Sequence, residues 1–186
     1  SESPMARLLQ GDVGSGKTVV ALAAAAVAAG SGAQAAILAP PEILAQQHYK
    51  LASKLFDGVT GVQLVVSQNS AKKETREAVE SGKAKIIIGT HALFQSGIRF
   101  QRLAVVVVDE QHRFGVEQRT EMLRKGEGKT PHLLMMTATP IPRTLALTLY
   151  GDLDLSILRQ KPAGRRPVTT VIIQDRERPR LYRKIR

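Results

Sequence analysis

The chain contains no cysteine, no tryptophan and few other aromatic residues. Without cysteine it can form neither disulfides nor thiolate metal sites. Aromatic residues make up 4% of the chain and hydrophobic residues 43%, so the core must be built from Ala, Val, Leu and Ile, which suits a parallel sheet covered by helices. The sequence also lacks a signal peptide and any apolar run near about 18 residues. We therefore expect a cytoplasmic protein with no membrane partner.

The positive charge is concentrated at the end of the chain. The formal net charge is +11. Residues 159–186 hold 10 Lys and Arg against 2 Asp and Glu, whereas residues 1–158 hold 17 against 14. A cationic stretch of this kind attracts polyphosphates through counterion release. The alternative, which stays open, is that this basic tail pairs with an acidic segment that would follow it.

Short aliphatic runs alternate with segments of helical length. Strands are predicted at Leu8-Leu9, Ala35–Ala39, Val62–Val66, Ile86–Ile88, Ala104–Val108 and Leu133–Met136. Helices are predicted at Val19–Ala29, Glu42–Phe56 and Lys72–Ser81, the last one ended by Gly82. In the second helix, one buried face is predicted to contain Ile43, Leu44, Leu51 and Leu55. The alternation predicts an α/β fold with a mostly parallel sheet and helices on both faces.

The composition changes near residue 159. Residues 1–158 are predicted to form one domain, and residues 159–167, which contain two prolines and a glycine, a linker. Residues 168–186 are predicted to begin a second domain, with a strand at Val168–Ile173 and a helix from Asp175. Since the chain also begins without methionine, close to its first strand, we expect it to be a piece of a longer polypeptide.

A glycine-rich segment between the first predicted strand and the first helix fits the phosphate-binding pattern G-x-x-x-x-G-K-[ST]. Its glycines let successive backbone N–H groups point at phosphate oxygens, and the helix N-terminus favours anions. Lys17 supplies a full positive charge for the terminal phosphates, and the Thr18 hydroxyl is placed to ligate Mg²⁺. The predicted nucleotide-binding residues are Gly11, Asp12, Val13, Gly14, Ser15, Gly16, Lys17 and Thr18.

An acidic pair follows another predicted strand. Val105–Val108 delivers Asp109 and Glu110 to the carboxyl end of that strand. Asp109 can hold Mg²⁺ through water, and Glu110 can polarise an attacking water as general base. Hydrolysis needs a positioned water, whereas a kinase uses a hydroxyl of its substrate. The pair therefore favours an ATPase over a P-loop phosphotransferase.

Three further polar or turn-forming segments also follow predicted strands. In an open parallel sheet, ligands bind at the carboxyl ends of the strands. We therefore expect the phosphate-binding segment, the acidic pair and these three segments to gather on one edge of the sheet. The three segments are Ala39-Pro40-Pro41, Gly89-Thr90-His91 and Thr137-Ala138-Thr139-Pro140.

These residues resemble motifs I, Ia, Ib, II and III of the superfamily 2 helicases, at Gly11–Thr18, Ala39–His48, Gly89–Gln95, Asp109–Gln118 and Thr137–Thr144. The longer stretches LLQGDVGSGKT, GTHALFQ, VVDEQHRFGVEQR and MMTATPIPRTLALTLYGDLD resemble the first motor domain of the RecG-like helicases. The resemblance covers nearly the whole chain. It implies a RecA-like P-loop NTPase lobe of a DNA-dependent ATPase that reverses replication forks and branch-migrates Holliday junctions.

The resemblance also implies residue roles and partners. Lys17 and Thr18 would bind ATP and Mg²⁺, while Asp109 and Glu110 would serve hydrolysis. The coupling and DNA-backbone residues would be Pro40, Gly89, Thr90, His91, His112, Thr137, Ala138 and Thr139. The partners implied are forked or four-way DNA, a second motor lobe and a wedge domain of the same polypeptide, in a bacterial nucleoid. Without that second lobe, the chain is expected to be nearly inactive.

Two positions bear on how closely the family is matched. Pro41 stands where the family commonly has threonine, and proline removes both the hydroxyl and a backbone N–H donor. An alternative is the motor lobe of a transcription-repair coupling translocase. Those related proteins usually have a second glutamate where Gln111 stands, which argues against this alternative. A phosphotransferase or a basic nucleic-acid-binding module would leave several of these motifs without a purpose. From the residues alone, the scattered histidines are interpreted as surface or packing residues rather than metal ligands, at His48, His91 and His132; the DNA contact of His91 is implied only by the resemblance.

Overall fold

The computed structural model describes residues 3–39, 41–68, 72–95, 97–109, 130–139, 153–160, 170 and 172–185. Within them, one sheet of seven strands has the order β3-β4-β2-β5-β6-β1-β7, and every neighbouring pair is parallel. The strands are β1 (Ala6–Gly11), β2 (Gln34–Leu38), β3 (Gly61–Val65), β4 (Ala84–Gly89), β5 (Leu103–Val108), β6 (His132–Thr137) and β7 (Asp154–Leu158). The six predicted strands and the parallel sheet are confirmed.

Helices cover both faces of the sheet, as predicted. On one face lie α1 (Lys17–Gly30) and α2 (Glu42–Leu55), and on the other lies α3 (Lys73–Glu80). A single turn, α4 (Ala92–Gln95), follows β4. Beyond the sheet, a 3-10 turn at Asp175–Glu177 leads into α5 (Arg178–Ile185), which confirms the helix expected from Asp175.

The core is aliphatic, as the shortage of aromatic residues requires. The ring of Phe100 is buried in this core. Helix α1 contributes Ala21, Ala25 and Ala28 to its core cluster, together with β-branched and leucine side chains from the central strands. Because alanine is both a strong helix former and small, it lets a helix pack closely on the sheet.

Helix α2 is rotated relative to the prediction. Ala45 and Ala52 face the sheet and are fully buried, whereas Ile43, Leu51 and Leu55 are 65%, 40% and 57% exposed. The predicted face was therefore wrong for three of its four residues. Close contact with the sheet requires small side chains along the line of contact, so the larger aliphatic residues lie on the outer side of the helix.

The end of the described sheet differs from the prediction in two ways. The sequence does not predict β7, which pairs with β1 at the sheet edge and is tied to it by Arg7, whose Nη2 lies 2.9 Å from Asp154 Oδ2. The strand predicted at Val168–Ile173 is not formed at the described residues of that range, which have no regular secondary structure. Among the described residues, no helix combines the length and apolar character needed to cross a membrane.

Candidate functional site

The glycine-rich segment forms a tight turn between a strand and a helix, as predicted. Strand β1 ends at Gly11 and helix α1 begins at Lys17. Gly16 has a φ of +95°, a conformation that residues with a side chain rarely adopt. Inside the turn, the Ser15 N–H donates to the carbonyl oxygen of Asp12 at 3.1 Å. All eight predicted nucleotide-binding residues therefore lie in one compact turn and the first two positions of α1.

Gly11 is tightly packed. A Cβ added there would lie 2.5 Å from Ser15 Oγ and 3.0 Å from Leu158 Cβ. The turn therefore folds back over the end of β1, with β7 against it. A side chain at this position would require the Ser15 hydroxyl to rotate and the neighbouring β7 to move slightly at Leu158.

Lys17 crosses the base of the turn. Its Nζ donates to the carbonyl oxygen of Gly11 at 2.7 Å and to that of Asp12 at 3.0 Å. The residue is only 9% exposed, and a buried ammonium group is costly without hydrogen-bond partners. The two carbonyl groups hold the positive charge at the helix N-terminus, where an anion would also gain from the helix dipole.

Two hydroxyl groups complete this part of the site. Ser15 Oγ is buried and has no hydrogen-bond partner among the described residues. Buried polar atoms are rarely left unpaired in native proteins, so this hydroxyl fits a ligand that brings its own oxygen atoms. Thr18 is half-buried in the first turn of α1. The turn thus has the donors, the charge and the helix end that suit a phosphate group.

Asp109 lies immediately after β5 and is 9% exposed. Its backbone N–H donates to the carbonyl oxygen of Leu38 at 2.8 Å, which extends the pairing with β2. Its Oδ2 lies 2.9 Å from Nε2 of His48, and each of these two side chains is 12% exposed. The acidic residue is therefore held by both its backbone and its side chain. Glu110 and His112 lie outside the described residues.

The carboxyl ends of five adjacent strands lie along one edge of the sheet. For the residues that the structure describes, this confirms that the segments following these strands lie together on that edge. Along this edge the order is β4, β2, β5, β6, β1. The segments that follow, in the same order, are Gly89-Thr90-His91, Ala39, Asp109, Thr137-Ala138-Thr139 and the turn at Gly11–Thr18. Pro40 lies outside the described residues. Strand β6 lies between β5 and β1. The threonine segment (Thr137-Ala138-Thr139) therefore lies between Asp109 and the phosphate-binding turn (Gly11–Thr18).

The threonine segment is internally bonded. Thr137 is 1% exposed and pairs in register with Gln10 of β1. Its Oγ1 accepts the N–H of Thr139 at 3.1 Å, across Ala138. The backbone is thereby turned just after β6, at the level where β1 enters the phosphate-binding turn.

Gly89 has a structural reason to be glycine. A Cβ there would overlap the carbonyl oxygen of Val65 in the neighbouring β3. The same carbonyl accepts the N–H of Thr90 at 3.2 Å, and the carbonyl of Thr90 accepts the N–H of Leu93 at 3.0 Å. Packing therefore explains the glycine, and the polar side chains of this segment are those of Thr90 and His91.

The histidines differ from the expectation in one respect. His132 is a packing residue, since its Nδ1 accepts the Met5 N–H at 2.8 Å. His48, in contrast, contacts the acidic residue of the site, and sequence reasoning missed this role. A signal existed, because His48 lies three residues after Ala45 and four before Ala52, on the face of α2 turned to the sheet. In the described part of the chain, no group of three or more His, Cys, Asp or Glu could hold a metal ion.

Comparison with known proteins agrees with this geometry. Residues 4–148 match the family model of the DEAD/DEAH box helicases. The ATP-dependent DNA helicase RecG of Treponema pallidum is 47% identical over 97% of this chain, and that of Synechocystis is 50% identical over 99%. The chain covers 28% and 22% of those two proteins, and so spans about a quarter of the length of these curated relatives.

Solved structures give the same result. A structure of RecG bound to a three-way DNA junction matches the whole chain and 25% of that protein with a TM-score of 0.82 at 40% identity. The helicase domain of Pyrococcus furiosus Hef matches 83% of this chain and 35% of its own with a TM-score of 0.63 at 22% identity, which is a likeness of fold. The RecA-like lobe is confirmed. This chain belongs to the DEAD/DEAH box helicase family, in which it is RecG-like over its whole length.

Proposed function

We propose that this chain is the ATP-binding lobe of a DNA-dependent helicase that remodels branched DNA, by fork reversal and branch migration of Holliday junctions. One observation carries the proposal. The phosphate-binding turn, the threonine segment and Asp109 follow three adjacent strands, and the same sheet edge continues to the segments after β2 and β4. A nucleotide at one end of the edge and DNA at the other would be joined by the segments between them.

At the nucleotide end, Lys17 exchanges its two backbone carbonyl partners for oxygens of the terminal phosphates. Ser15 Oγ and the N–H groups of the turn donate to the same phosphates. Glu110, as general base, polarises the attacking water and accepts its proton. This division of roles follows the residue types and the resemblance to the family.

The residues also suit a magnesium ion. Mg²⁺ prefers hard oxygen ligands and keeps several of its waters, and the Thr18 hydroxyl with the Asp109 carboxylate offers that donor set. When bound, the ion neutralises charge that develops on the phosphates. Asp109 is already mostly buried and held at both its backbone and its side chain, so little further ordering is needed for it to act.

At the other end of the edge, Pro40 and the Gly89-Thr90-His91 segment would contact the phosphodiester backbone. Such contacts position a nucleic acid without reading its sequence. Thr137, Ala138 and Thr139, with His112, would couple the nucleotide state to the DNA. The solved relative that shares 40% of its sequence with this chain is bound to a three-way DNA junction, which supports branched DNA as the ligand class.

We further propose that residues 1–158 form the first motor lobe, residues 159–167 a linker and residues 168–186 the start of a second lobe. The arginine fingers and the wedge domain would then lie elsewhere in the same polypeptide, which would act on the bacterial nucleoid. In P-loop enzymes such arginines raise the rate by about 10³–10⁵. The chain by itself is therefore expected to hydrolyse ATP very slowly.

The test is ATP hydrolysis with and without forked DNA, by this chain and by the chain joined to a second RecG-type motor lobe. Lys17→Ala and Glu110→Gln remove the phosphate charge and the general base. Lys73→Ala is the matched control, because Lys73 is 84% exposed on α3 and its i,i+4 partner Glu77 is also exposed.

We expect the chain alone to be nearly silent and the two-lobe protein to hydrolyse ATP in a DNA-dependent way. Both site substitutions should abolish that activity, while Lys73→Ala should leave it unchanged. Hydrolysis by the two-lobe protein that ignores DNA, or that survives both site substitutions, would refute the motor assignment. A small-molecule phosphate acceptor would then be sought.

A further inference from the structure

The contact between His48 and Asp109 joins two parts of the chain that the proposed mechanism treats separately. Asp109 follows β5, in the acidic motif, whereas His48 lies in the middle of α2, in the helix that continues motif Ia. Nε2 of His48 lies 2.9 Å from Oδ2 of Asp109, and both side chains are 12% exposed. A hydrogen bond in so enclosed a place is worth more than the same contact at the surface.

The chemistry of the pair fixes the direction of the hydrogen bond. An ionised carboxylate is an acceptor only, so the imidazole must carry a hydrogen on Nε2 and donate it. The torsion that rotates a carboxylate about its Cβ–Cγ bond is broad when nothing holds it. A donor on Oδ2 therefore sets the orientation of both carboxylate oxygens.

The donor itself is held rigidly. Helix α2 begins right after the turn that follows β2, where the N–H of Ala39 donates to the carbonyl oxygen of Gly89 at 3.0 Å. Ala45 and Ala52, on either side of His48 along the helix face, are fully buried against the sheet. Asp109 is bonded to the same strand through Leu38. Asp109 is thus held by β2 and helix α2 packs on β3 and β4 of the same sheet, so the sheet fixes the separation of the two partners.

We propose that His48 is a positioning residue of the nucleotide site: its Nε2–H orients the Asp109 carboxylate for the hydrated magnesium ion of the bound nucleotide. The inference rests on the proposed function, in which Asp109 serves that ion. His48 touches neither nucleotide nor metal in this role and acts only through Asp109. Removing the hydrogen-bond partner of a direct metal ligand commonly changes metal affinity about 10–100-fold; because Asp109 holds the ion through water, the lower end of that range applies to His48.

The experiment compares two substitutions of His48 in this chain. In His48→Gln, the side-chain amide nitrogen is as many bonds from Cβ as Nε2 is, so the donor is kept. In His48→Asn, the amide nitrogen takes the position of Nδ1 and falls short of Asp109. His132→Asn is the matched control, because His132 is a packing histidine at the start of β6, on the opposite edge of the sheet. The probe is ADP, titrated calorimetrically with Mg²⁺ and, separately, with EDTA.

We expect Mg²⁺ to tighten ADP binding to the unaltered chain. His48→Asn should reduce that gain about 10-fold, at the lower end of the range for such partners, and leave binding in EDTA unchanged. His48→Gln should restore most of the gain, and His132→Asn should keep it. Loss of binding in EDTA as well, or no rescue by glutamine, would mean a merely structural histidine and overturn the proposal.

Failure of this inference and failure of the proposed function give different results. If Mg²⁺ tightens ADP binding, Lys17→Ala abolishes it and His48→Asn has no effect, only the role of His48 is refuted. If Mg²⁺ does not change ADP binding to the unaltered chain, Asp109 does not serve the ion. Both the proposed site and the role of His48 are then wrong.

Discussion

Gly89→Ala separates a packing role from a DNA-binding role at one position. The new Cβ would overlap the Val65 carbonyl oxygen and approach Val65 Cβ to 3.3 Å. The obstacle is backbone in a paired strand, which cannot swing aside as a flexible side chain could, so β3 must shift relative to β4. Small overpacking changes of this kind cost about 1–3 kcal/mol. For a chain of this size, that corresponds to a fall in Tm of about 2–12 °C.

The control is Gly30→Ala, in the last residue of α1. A Cβ there meets nothing within 4 Å, and the backbone of Gly30 does not have the positive φ that disfavours other residues. The free energy of unfolding should rise by up to about 1 kcal/mol, because alanine loses less backbone entropy on folding. Both variants are compared by thermal unfolding without ligand. If Gly89→Ala keeps the Tm of the parent chain, the packing argument is refuted, and the proposed DNA contact is then tested by DNA binding of the same variant.

Two further predictions concern the core, and urea unfolding measures both. Gln34 is fully buried, and its Nε2 donates to the carbonyl oxygens of Val79 at 2.8 Å and Ala84 at 2.9 Å. Gln34→Met keeps the length of the side chain but removes these two hydrogen bonds and the one that Gln34 Oε1 accepts from the Arg102 N–H at 3.1 Å. Because the Val79 carbonyl still accepts the Gly82 N–H, stability should fall by about 1–3 kcal/mol, and a loss below about 1 kcal/mol would contradict this. On α2, Ala52→Leu should lower the free energy of unfolding by about 1–3 kcal/mol, and Leu55→Gln by less than about 0.5 kcal/mol. If Leu55→Gln costs more than Ala52→Leu, the face of α2 predicted from the sequence is the buried one.

The central strands could be predicted because each is buried on both faces. Such strands have unbroken aliphatic sequences. Val105–Val108 is an example: its last three residues are fully buried, and Val105 is 8% exposed. Strand β7 has no such run, since it is the outermost strand next to β1 and all five of its residues are exposed or half-buried. Its pairing with β1 depends on Arg7 and on the register of the sheet, which a local pattern does not contain.

The orientation of α2 shows a second limit. A periodicity argument weights large aliphatic residues, and in this helix they lie outward, while two alanines make the contact with the sheet. His48 was missed for a related reason: its partner is 61 residues away in the sequence, and only the order of the strands brings the two together. The turn at Gly11–Thr18, by contrast, is a local structure, and its glycines and lysine within a few residues of one another make it recognisable in the sequence.

The order of the strands sets a distance with thermodynamic consequences. From β1 to β4 along the sheet edge there are four strand spacings, or about 19 Å at about 4.8 Å each. Two ligands that far apart do not touch, so any influence of one on the other must be a coupling free energy carried by the protein. Such a coupling is reciprocal: if ATP lowers the affinity for DNA by some factor, DNA must lower the affinity for ATP by the same factor. A motor built on this edge would therefore convert the cycle of hydrolysis into a cycle of tight and loose DNA binding.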